Sequence, residues 1–524
     1  MLDLTPLLRL YAGYRRHRLA ARDPIRVQRS QLEQLLRRAG RTRFGREHGF
    51  ERIQDVQGYQ ARVPIRDYER FWDDYWRDAF PEHRDLCWPG LMPFFALSSG
   101  TSKGTTKYIP CSDAMCRSNN RAAWDVLVQH VHNRPSSQLL GGVSLMLGGS
   151  TDLSTLGPGV RAGDLSGIAA YRVPSWLAGR VHPPLELAHL SDWERKMDAI
   201  ARGALDLDIR TISGTPSWLL VLFDRLRGLR PAGDGSLAEL FPNLELVVHG
   251  GVNFAPYRQR FEQLLEGSHA ELREVYAASE GFFALADAGP EDGLRLCVDS
   301  GIFYEFVPLE CLGDPDPPRH WLADIQTGVD YAIVVSTCAG LWSYLVGDLV
   351  RFVQRDPPRL LVTGRTSYML SAFGEHLIEI EIETAVAEAA ADCGLNVVDF
   401  SVGAIYPERE AELGRHLYIV EFDPLASDPQ EVPDAALGQR FIEIVDRRLM
   451  SANDDYRAHR ADGFGLASPE LRVVPPGTFA AWMKARGKLG GQNKVPRVIN
   501  EPRLWQHLRD HATTTTGSHD RPMP

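Results

Sequence analysis

Phe94-Phe95-Ala96-Leu97-Ser98-Ser99-Gly100-Thr101-Ser102-Lys103-Gly104-Thr105-Thr106-Lys107 is an apolar, strand-like run that breaks into a loop of glycines, hydroxyls and two lysines. Glycines permit a tight turn with inward-pointing N–H groups, a nest for phosphate oxygens. The hydroxyls add donors, and lysine adds a mobile point charge. The two glycines lie four apart and no Gly-Lys-Ser/Thr follows, so this is not a Walker A loop. The text on either side sets the fold class. Residues 85–290 alternate apolar strands with longer helical patterns, as in Leu244–Val248 running into Gly250-Gly251. That alternation is the signature of an α/β sheet.

Upstream, residues 1–80 read as helices, with Leu32, Leu35 and Leu36 on one apolar stripe that stops at Gly40. Downstream, residues 290–365 hold closely spaced strands: Tyr331–Ser336, Leu341–Val346, Leu349–Val353 and Leu360–Thr363. Gly340, Gly347 and Asp356-Pro357-Pro358 punctuate them. After Gly364-Arg365 the texture changes to a helix at Leu377–Ala391, strands at Val397–Val402 and His416–Phe422, a helix near Phe441–Met450, and a strand at Leu471–Val474. The expected organisation is a large domain over 1–370, a small α+β domain over 371–511, and a disordered tail over 512–524.

Composition narrows the class further. The 524 residues carry a net charge of -10, with 44% hydrophobic and 24% charged residues, the balance of a soluble globular protein. No run of 18 or more apolar residues and no signal-peptide pattern is present. The seven cysteines are scattered; Cys111 and Cys116 are close but have no adjacent histidine, which argues against zinc. A reducing cytoplasm is the expected compartment. The acidic balance argues against nucleic acid. The Arg-rich first sixty residues read as solvated helix faces, so neither a nucleic acid nor a membrane is expected as a partner, and a monomer is expected. Of 58 Lys and Arg residues only six are lysine, and five fall in two windows: Lys103 and Lys107, then Lys484, Lys488 and Lys494.

Three further motifs carry chemistry. Tyr276-Ala277-Ala278-Ser279-Glu280 follows the strand-like Leu272–Val275. A carboxylate past a strand end suits a hard cation such as Mg²⁺, and Tyr276 suits a flat base; alone, Ala-Ser-Glu also reads as a helix N-cap. Tyr344-Leu345-Val346-Gly347-Asp348, with Arg365 beyond it, places an acceptor for two ribose hydroxyls near a guanidinium; alone, Gly-Asp also reads as a hairpin turn. Gly490-Gly491-Gln492-Asn493-Lys494-Val495-Pro496-Arg497 sets a lysine on a glycine-flanked loop, suited to delivering charge late by domain closure. His130 and His132 read as packing or surface residues.

In this order the four motifs resemble those of the acyl acid–amido synthetases of the auxin-responsive Gretchen Hagen family, in the acyl-adenylate-forming superfamily that includes firefly luciferase and the acyl-CoA ligases. Ser98 to Lys107, continued by Tyr108-Ile109-Pro110, matches the phosphate loop, and Tyr276 to Glu280 matches Tyr-x-x-Ser-Glu. Tyr344 to Asp348 resembles Tyr-Arg-x-Gly-Asp, with Leu345 in place of the family arginine, and Gln492 to Arg497 matches Gln-x-Lys-x-Pro-Arg. Thr42–Arg46, Val63–Glu69 and Gly214-Thr215-Pro216-Ser217-Trp218 resemble flanking family segments, the last near the acyl pocket.

The resemblance implies an α/β fold: a large N-terminal adenylate-forming domain with mixed sheets and a β-barrel-like part, plus a small mobile C-terminal lid. It implies ATP, Mg²⁺, a small carboxylic acid and an amino acid as reactants and partners, with an acyl-adenylate between two half-reactions. Carried over, Ser98, Ser99, Gly100, Thr101, Ser102 and Lys107 bind phosphate. Tyr276, Ser279, Asp348 and Arg365 bind the nucleotide, and Thr215 and Pro216 lie near the acid. Glu280 holds the metal, and Lys494 stabilises charge in adenylation. The alternatives are a thioester ligase on the same scaffold and a non-catalytic nucleotide-binding protein.

Overall fold

The computed structural model describes the chain except residues 21, 99–105, 149–152, 174–176, 178, 185–186, 188–192, 231–235, 252–253, 255–256, 290–291, 367–369, 371–376, 407–412, 424–432, 461–465, 489–493 and 518–524. Side chains at 193, 194, 217, 454, 455, 458 and 514–517 are likewise outside the description. In chain order the strands are β1 (Phe94–Ser98), β2 (Lys107–Cys111), β3 (Val143–Leu147), β4 (Ser154–Gly157), β5 (Val160–Gly163), β6 (Val181–His182), β7 (Ile209–Gly214), β8 (Leu246–Gly250) and β9 (Glu271–Ala278). There follow β10 (Gly281–Leu285), β11 (Leu294–Leu296), β12 (Ile302–Pro308), β13 (Asp330–Thr337), β14 (Tyr344–Arg355), β15 (Pro358–Arg365), β16 (Val397–Ile405), β17 (Arg415–Phe422) and β18 (Glu470–Val474).

The chain divides into two compact units: residues 1–252 with 265–362, and residues 253–264 with 363–524. In the first unit the helical N-terminal region supplies aromatic side chains to the core. Leu32, Leu35 and Leu36 are buried with Phe44, Phe50, Tyr59, Phe71 and Trp76, and Trp342 and Tyr344 join the same cluster. The Pro24–Ala39 helix starts as its sequence dictates, with Asp23 accepting from the Ile25 N–H and Pro24 at the first turn.

One sheet of this unit runs β2-β1-β5-β4, and the large one runs β12-β13-β14-β15-β11-β10-β9-β8-β7-β3-β6. Its β6-β3-β7-β8-β9 section is parallel, as the strand–helix alternation predicts. From β9 onward it is antiparallel. Three strands separate β9 from β14, about 19 Å on a flat sheet at roughly 4.8 Å per strand. Yet the Tyr276 hydroxyl on β9 donates to Asp348 on β14 at 2.8 Å. The antiparallel section therefore curls on itself, and this is the β-barrel-like part.

The structure differs from the sequence-based expectation at two places. The stretches Leu341–Val346 and Leu349–Val353 are not two strands: Tyr344–Arg355 is one strand, with Gly347 at φ 93° inside it. The register of β13 against β14 shifts between Ala332 and Val334. Gly347 therefore serves an irregularity within a strand, a backbone conformation that favours glycine, rather than a hairpin turn. At the other end, the Pro502–Gly517 helix runs five residues beyond Ala512, into the stretch expected to be disordered. Trp505, Leu508 and Ala512 are buried at helical spacing, so this end of the chain has a core to pack on.

In the second unit β16-β17-β18 form a sheet covered by the Glu379–Cys393 and Ala435–Ala452 helices. Their apolar faces meet around Phe400, Tyr418, Val420, Phe441 and Val445.

Candidate active site

The first motif is a β-hairpin. Ser98 pairs with Lys107 across β1 and β2, and Ser99, Gly100, Thr101 and Ser102 lie in the connecting stretch, outside the described residues. The Lys107 ammonium sits 5.3 Å over the Tyr68 ring, and the Tyr68 hydroxyl accepts from the Tyr108 N–H at 3.0 Å. The Tyr68–Phe71 helix thus braces the start of β2.

The parallel strands bring the next residues to one edge. Ligands of open α/β sheets bind outside the carboxyl ends of the strands. Thr215 follows β7 at that edge, with Pro216 opening the Pro216–Leu229 helix. The Thr215 hydroxyl is buried with no hydrogen-bond partner among the described residues. Phe283 is core, edge-on to Tyr276 at 5.0 Å.

At the end of β9, Ser279 and Glu280 form the turn into β10, where Ala278 pairs with Gly281. Ala-Ser-Glu is therefore a hairpin turn and not a helix N-cap. Glu280 is buried and faces the buried Tyr344 hydroxyl. Burial first, and then this carboxylate, push the Tyr344 phenol far above its ordinary pKa. The hydroxyl makes no well-aligned hydrogen bond among the described residues. Tyr276 and Asp348 are each 7% exposed and bonded to each other. The second and third motifs, 72 residues apart in sequence, thus form one cluster: Tyr276, Glu280, Tyr344 and Asp348.

Leu345 lies beside this cluster. Its N–H donates to the Arg66 carbonyl at 2.9 Å, and the Arg66 side chain is engaged elsewhere. The guanidinium donates to Asp74 at 3.1 Å and stacks on Phe44, Phe71 and Tyr75.

Arg365 and Lys494 belong to the second unit. Arg365 ends β15, and its charge acts on Glu379 at the start of the Glu379–Cys393 helix, as does that of Lys494. Burial and the neighbouring Glu383 nevertheless raise the Glu379 carboxyl to about 8. Gln492 lies outside the described residues, but the segment after Lys494 is firmly mounted. Ser401 donates to the Pro496 carbonyl at 2.8 Å, and the Val402 N–H to the Arg497 carbonyl at 2.7 Å. The Arg497 guanidinium is buried and donates to Glu383 at 3.2 Å, to the Phe400 carbonyl at 3.1 Å, to the Tyr257 hydroxyl at 2.7 Å, and to Asp399. The last arginine of the fourth motif is thus the anchor of the lysine loop. Sequence reasoning missed its partners Tyr257, Glu383 and Asp399, which share no motif with it.

In fold the chain is similar to solved adenylate-forming enzymes. It superposes on an AtGH3.15 acyl acid amido synthetase in complex with 2,4-DB with TM-score 0.75 and 21% identity, covering 93% of each chain. It superposes on a 2-hydroxyisobutyryl-CoA ligase in the postadenylation state with TM-score 0.61 and 16% identity, covering 93% of this chain and 91% of that one. The fold is that of the adenylate-forming class.

The chain belongs to the GH3 family. The family's N-terminal domain matches residues 14–180 and 160–270, its central domain 295–365, and its C-terminal domain 380–503. Among curated relatives, an indole-3-acetic acid-amido synthetase GH3.3 of Arabidopsis thaliana is 25% identical over 62% of this chain and 57% of its own length. A probable indole-3-acetic acid-amido synthetase GH3.1 of Oryza sativa subsp. japonica is 24% identical over 90% of this chain and 87% of its own. A jasmonoyl-L-amino acid synthetase JAR4 of Nicotiana attenuata is 27% identical over 52% and 47%. The chain spans about half the length of the first curated relatives it matches.

Proposed function

We propose that this protein is an ATP-dependent acyl acid–amido synthetase working in the cytoplasm. It activates a carboxylic acid as an acyl-adenylate with release of pyrophosphate, then transfers the acyl group to the amine of an amino acid with release of AMP. The observation that carries this reading is the Tyr276–Asp348 hydrogen bond beside the Glu280–Tyr344 pair. It sets a carboxylate chemically suited to sugar hydroxyls, an aromatic ring and a second carboxylate suited to a hard cation in one cluster within the adenylate-forming fold.

The chemistry accounts for the residues. A free carboxylate is a poor acyl donor because its leaving group is oxide, and adenylation replaces that with a phosphate. Asp348 accepts from ribose hydroxyls, and Tyr276 orients it while flanking the base. The Ser98–Lys107 hairpin cradles the phosphates. Charge gathers on the α-phosphate in the transition state, and Lys494 is the cation assigned to it, with the C-terminal unit acting as the lid. Thr215 and Pro216 border the acid. No covalent enzyme nucleophile is required.

The residues suit Mg²⁺. Glu280 is a hard oxygen donor, and no group of three or more His, Cys, Asp or Glu side chains among the described residues forms a metal cage. The ion is therefore assigned to Glu280 together with substrate phosphates. When bound it would neutralise phosphate charge.

The amine acceptor rests on the family, whose named relatives conjugate amino acids. The shared fold of the CoA ligase makes a thiol acceptor the second reading. Pyrophosphate release over aryl, indolyl and fatty acids tests the first half-reaction. Acid-dependent release is expected, and its absence across the series would leave a nucleotide-binding protein without adenylating activity.

A further inference from the structure

Half of the twelve large apolar side chains that the described chain leaves exposed fall in its first fourteen residues: Met1, Leu2, Leu7, Leu10, Tyr11 and Tyr14. Four of them sit on the Thr5–Ala20 helix at i, i+3, i+4 and i+7, which makes one face. Leu7 and Leu10 are 64% and 76% exposed, more than a scatter of lone surface leucines would give. The opposite face is firmly docked. Leu8 and Ala12 pack with Val126, Val128 and Val131 of the Asp113–Asn133 helix. Arg15 is buried between Asp125 and Asp299 at 2.7 and 2.6 Å. The helix is thus apolar on two sides, and only one side has a protein partner among the described residues.

The charge along this stretch is predominantly basic. Residues 1–26 hold six arginines against two aspartates, in a chain whose net charge is -10. Arg15 is consumed inside, and Arg9 donates to the Ser137 carbonyl. Arg16, His17 and Arg18 remain near the rim, with Arg22 3.8 Å from Asp299, and Arg18 donates to the Tyr14 hydroxyl at 3.0 Å on the exposed face itself. The following helix adds Arg26, 88% exposed and 3.5 Å from Asp23.

We infer that this face lies on an anionic lipid surface. Leucines and tyrosines flanked by arginines, on a helix held parallel to the protein surface, have the composition of interfacial helices. Leu7, Leu10 and Tyr14 enter the headgroup boundary, while the arginines meet lipid phosphates. A two-fold contact with a second copy would set this basic face against itself, so charge favours the bilayer. No helix among the described residues is long and apolar enough to cross a membrane, so the contact is peripheral. The inference does not depend on the proposed reaction.

The test is flotation of the full chain with vesicles of phosphatidylcholine alone and of phosphatidylcholine with phosphatidylglycerol, at low and high salt. Binding is expected only with the anionic vesicles and is expected to weaken with salt. The double substitution Leu7→Ser, Leu10→Ser, and separately Arg18→Glu, are expected to cut the bound fraction about tenfold while leaving the far-ultraviolet circular dichroism and pyrophosphate release unchanged. Failure of the wild type to float, equal binding to both vesicle types, or full binding by the variants would overturn the inference. A dimer in sedimentation velocity that the leucine variant dissociates would overturn it too, assigning the face to self-association.

Discussion

Asp348 is the residue on which the nucleotide assignment turns. Its carboxylate is buried on a curled sheet and oriented by Tyr276, so it is held in place before any ligand arrives. Asp348→Ala is expected to weaken ATP binding by about 1.5–3 kcal/mol, the worth of a hydrogen bond to a charged group. Titration calorimetry with a non-hydrolysable ATP analogue checks this, and unchanged affinity would refute the ribose role. Lys494 is exposed, and the structure next to it hangs on Arg497. Lys494→Ala is therefore expected to leave the fold intact and to slow pyrophosphate release by at least about 10²-fold. Wild-type release would remove the lysine from the adenylation step. Both residues stand out in the sequence because each lies in a contiguous motif. Tyr257 was not: it meets Arg497 from 240 positions away, and no local pattern encodes that pairing.

At the scale of elements, the conspicuous device outside the site is a charge network under the parallel strands. His130, on the Asp113–Asn133 helix, sits between Glu271 at 3.0 Å and Glu245 at 3.4 Å. Arg134 and Arg273 reach Glu271, and Arg210 reaches Glu245. Burial disfavours the charged imidazole, yet the two glutamates raise its pKa above the ordinary value. Burial also opposes charge on the glutamates, but His130 and the arginines lower both to about 2. The histidine contribution is thus complete below about pH 6.5 and is lost as pH rises through the raised folded value. The glutamate contributions are complete above about pH 4.5 and are lost as pH falls towards 2. His130→Gln is expected to cost about 1.5–3 kcal/mol at pH 6 and less at pH 9, measured by urea unfolding. An equal cost at both values would contradict the charged pairing.

The strands and helices of this region were legible from periodicity, but the network was not, because its members lie 115 and 141 positions apart. From sequence alone His130 accordingly reads as a packing or surface residue. The Gly347-Asp348 irregularity escaped for another reason. Gly-Asp encodes a positive-φ kink, and only the pairing with β13 decides whether that kink ends a strand or bends one.

At the scale of the molecule, the chain is two units whose boundary falls at Val362 and Thr363, near the change of texture at Gly364-Arg365. Residues 253–264 group with the second unit, which linear reading does not reveal. The second unit gathers carboxylates largely withdrawn from water, Glu379 half-buried and Glu421 buried. Burial and Glu383 raise Glu379 to about 8, and burial raises Glu421 to about 7 against three backbone N–H groups. A carboxyl that holds its proton more tightly when folded favours folding at low pH and loses that advantage as pH rises through its folded value. The unfolding temperature of this unit is expected to fall between about pH 4.5 and pH 8. Arg497→Met is expected to cost about 3–5 kcal/mol, because Glu383 and Asp399 lose their buried partner. Calorimetric scans checking both are contradicted by a transition that moves with neither pH nor the substitution.

The central claim is amide formation through an acyl-adenylate. The direct measurement is mass spectrometry of the products formed from ATP, an acid that supports pyrophosphate release, an amino-acid mixture and coenzyme A supplied together. The account predicts an acyl–amino acid conjugate with AMP in equal amount, lost in Lys494→Ala. A product carrying only coenzyme A would contradict it.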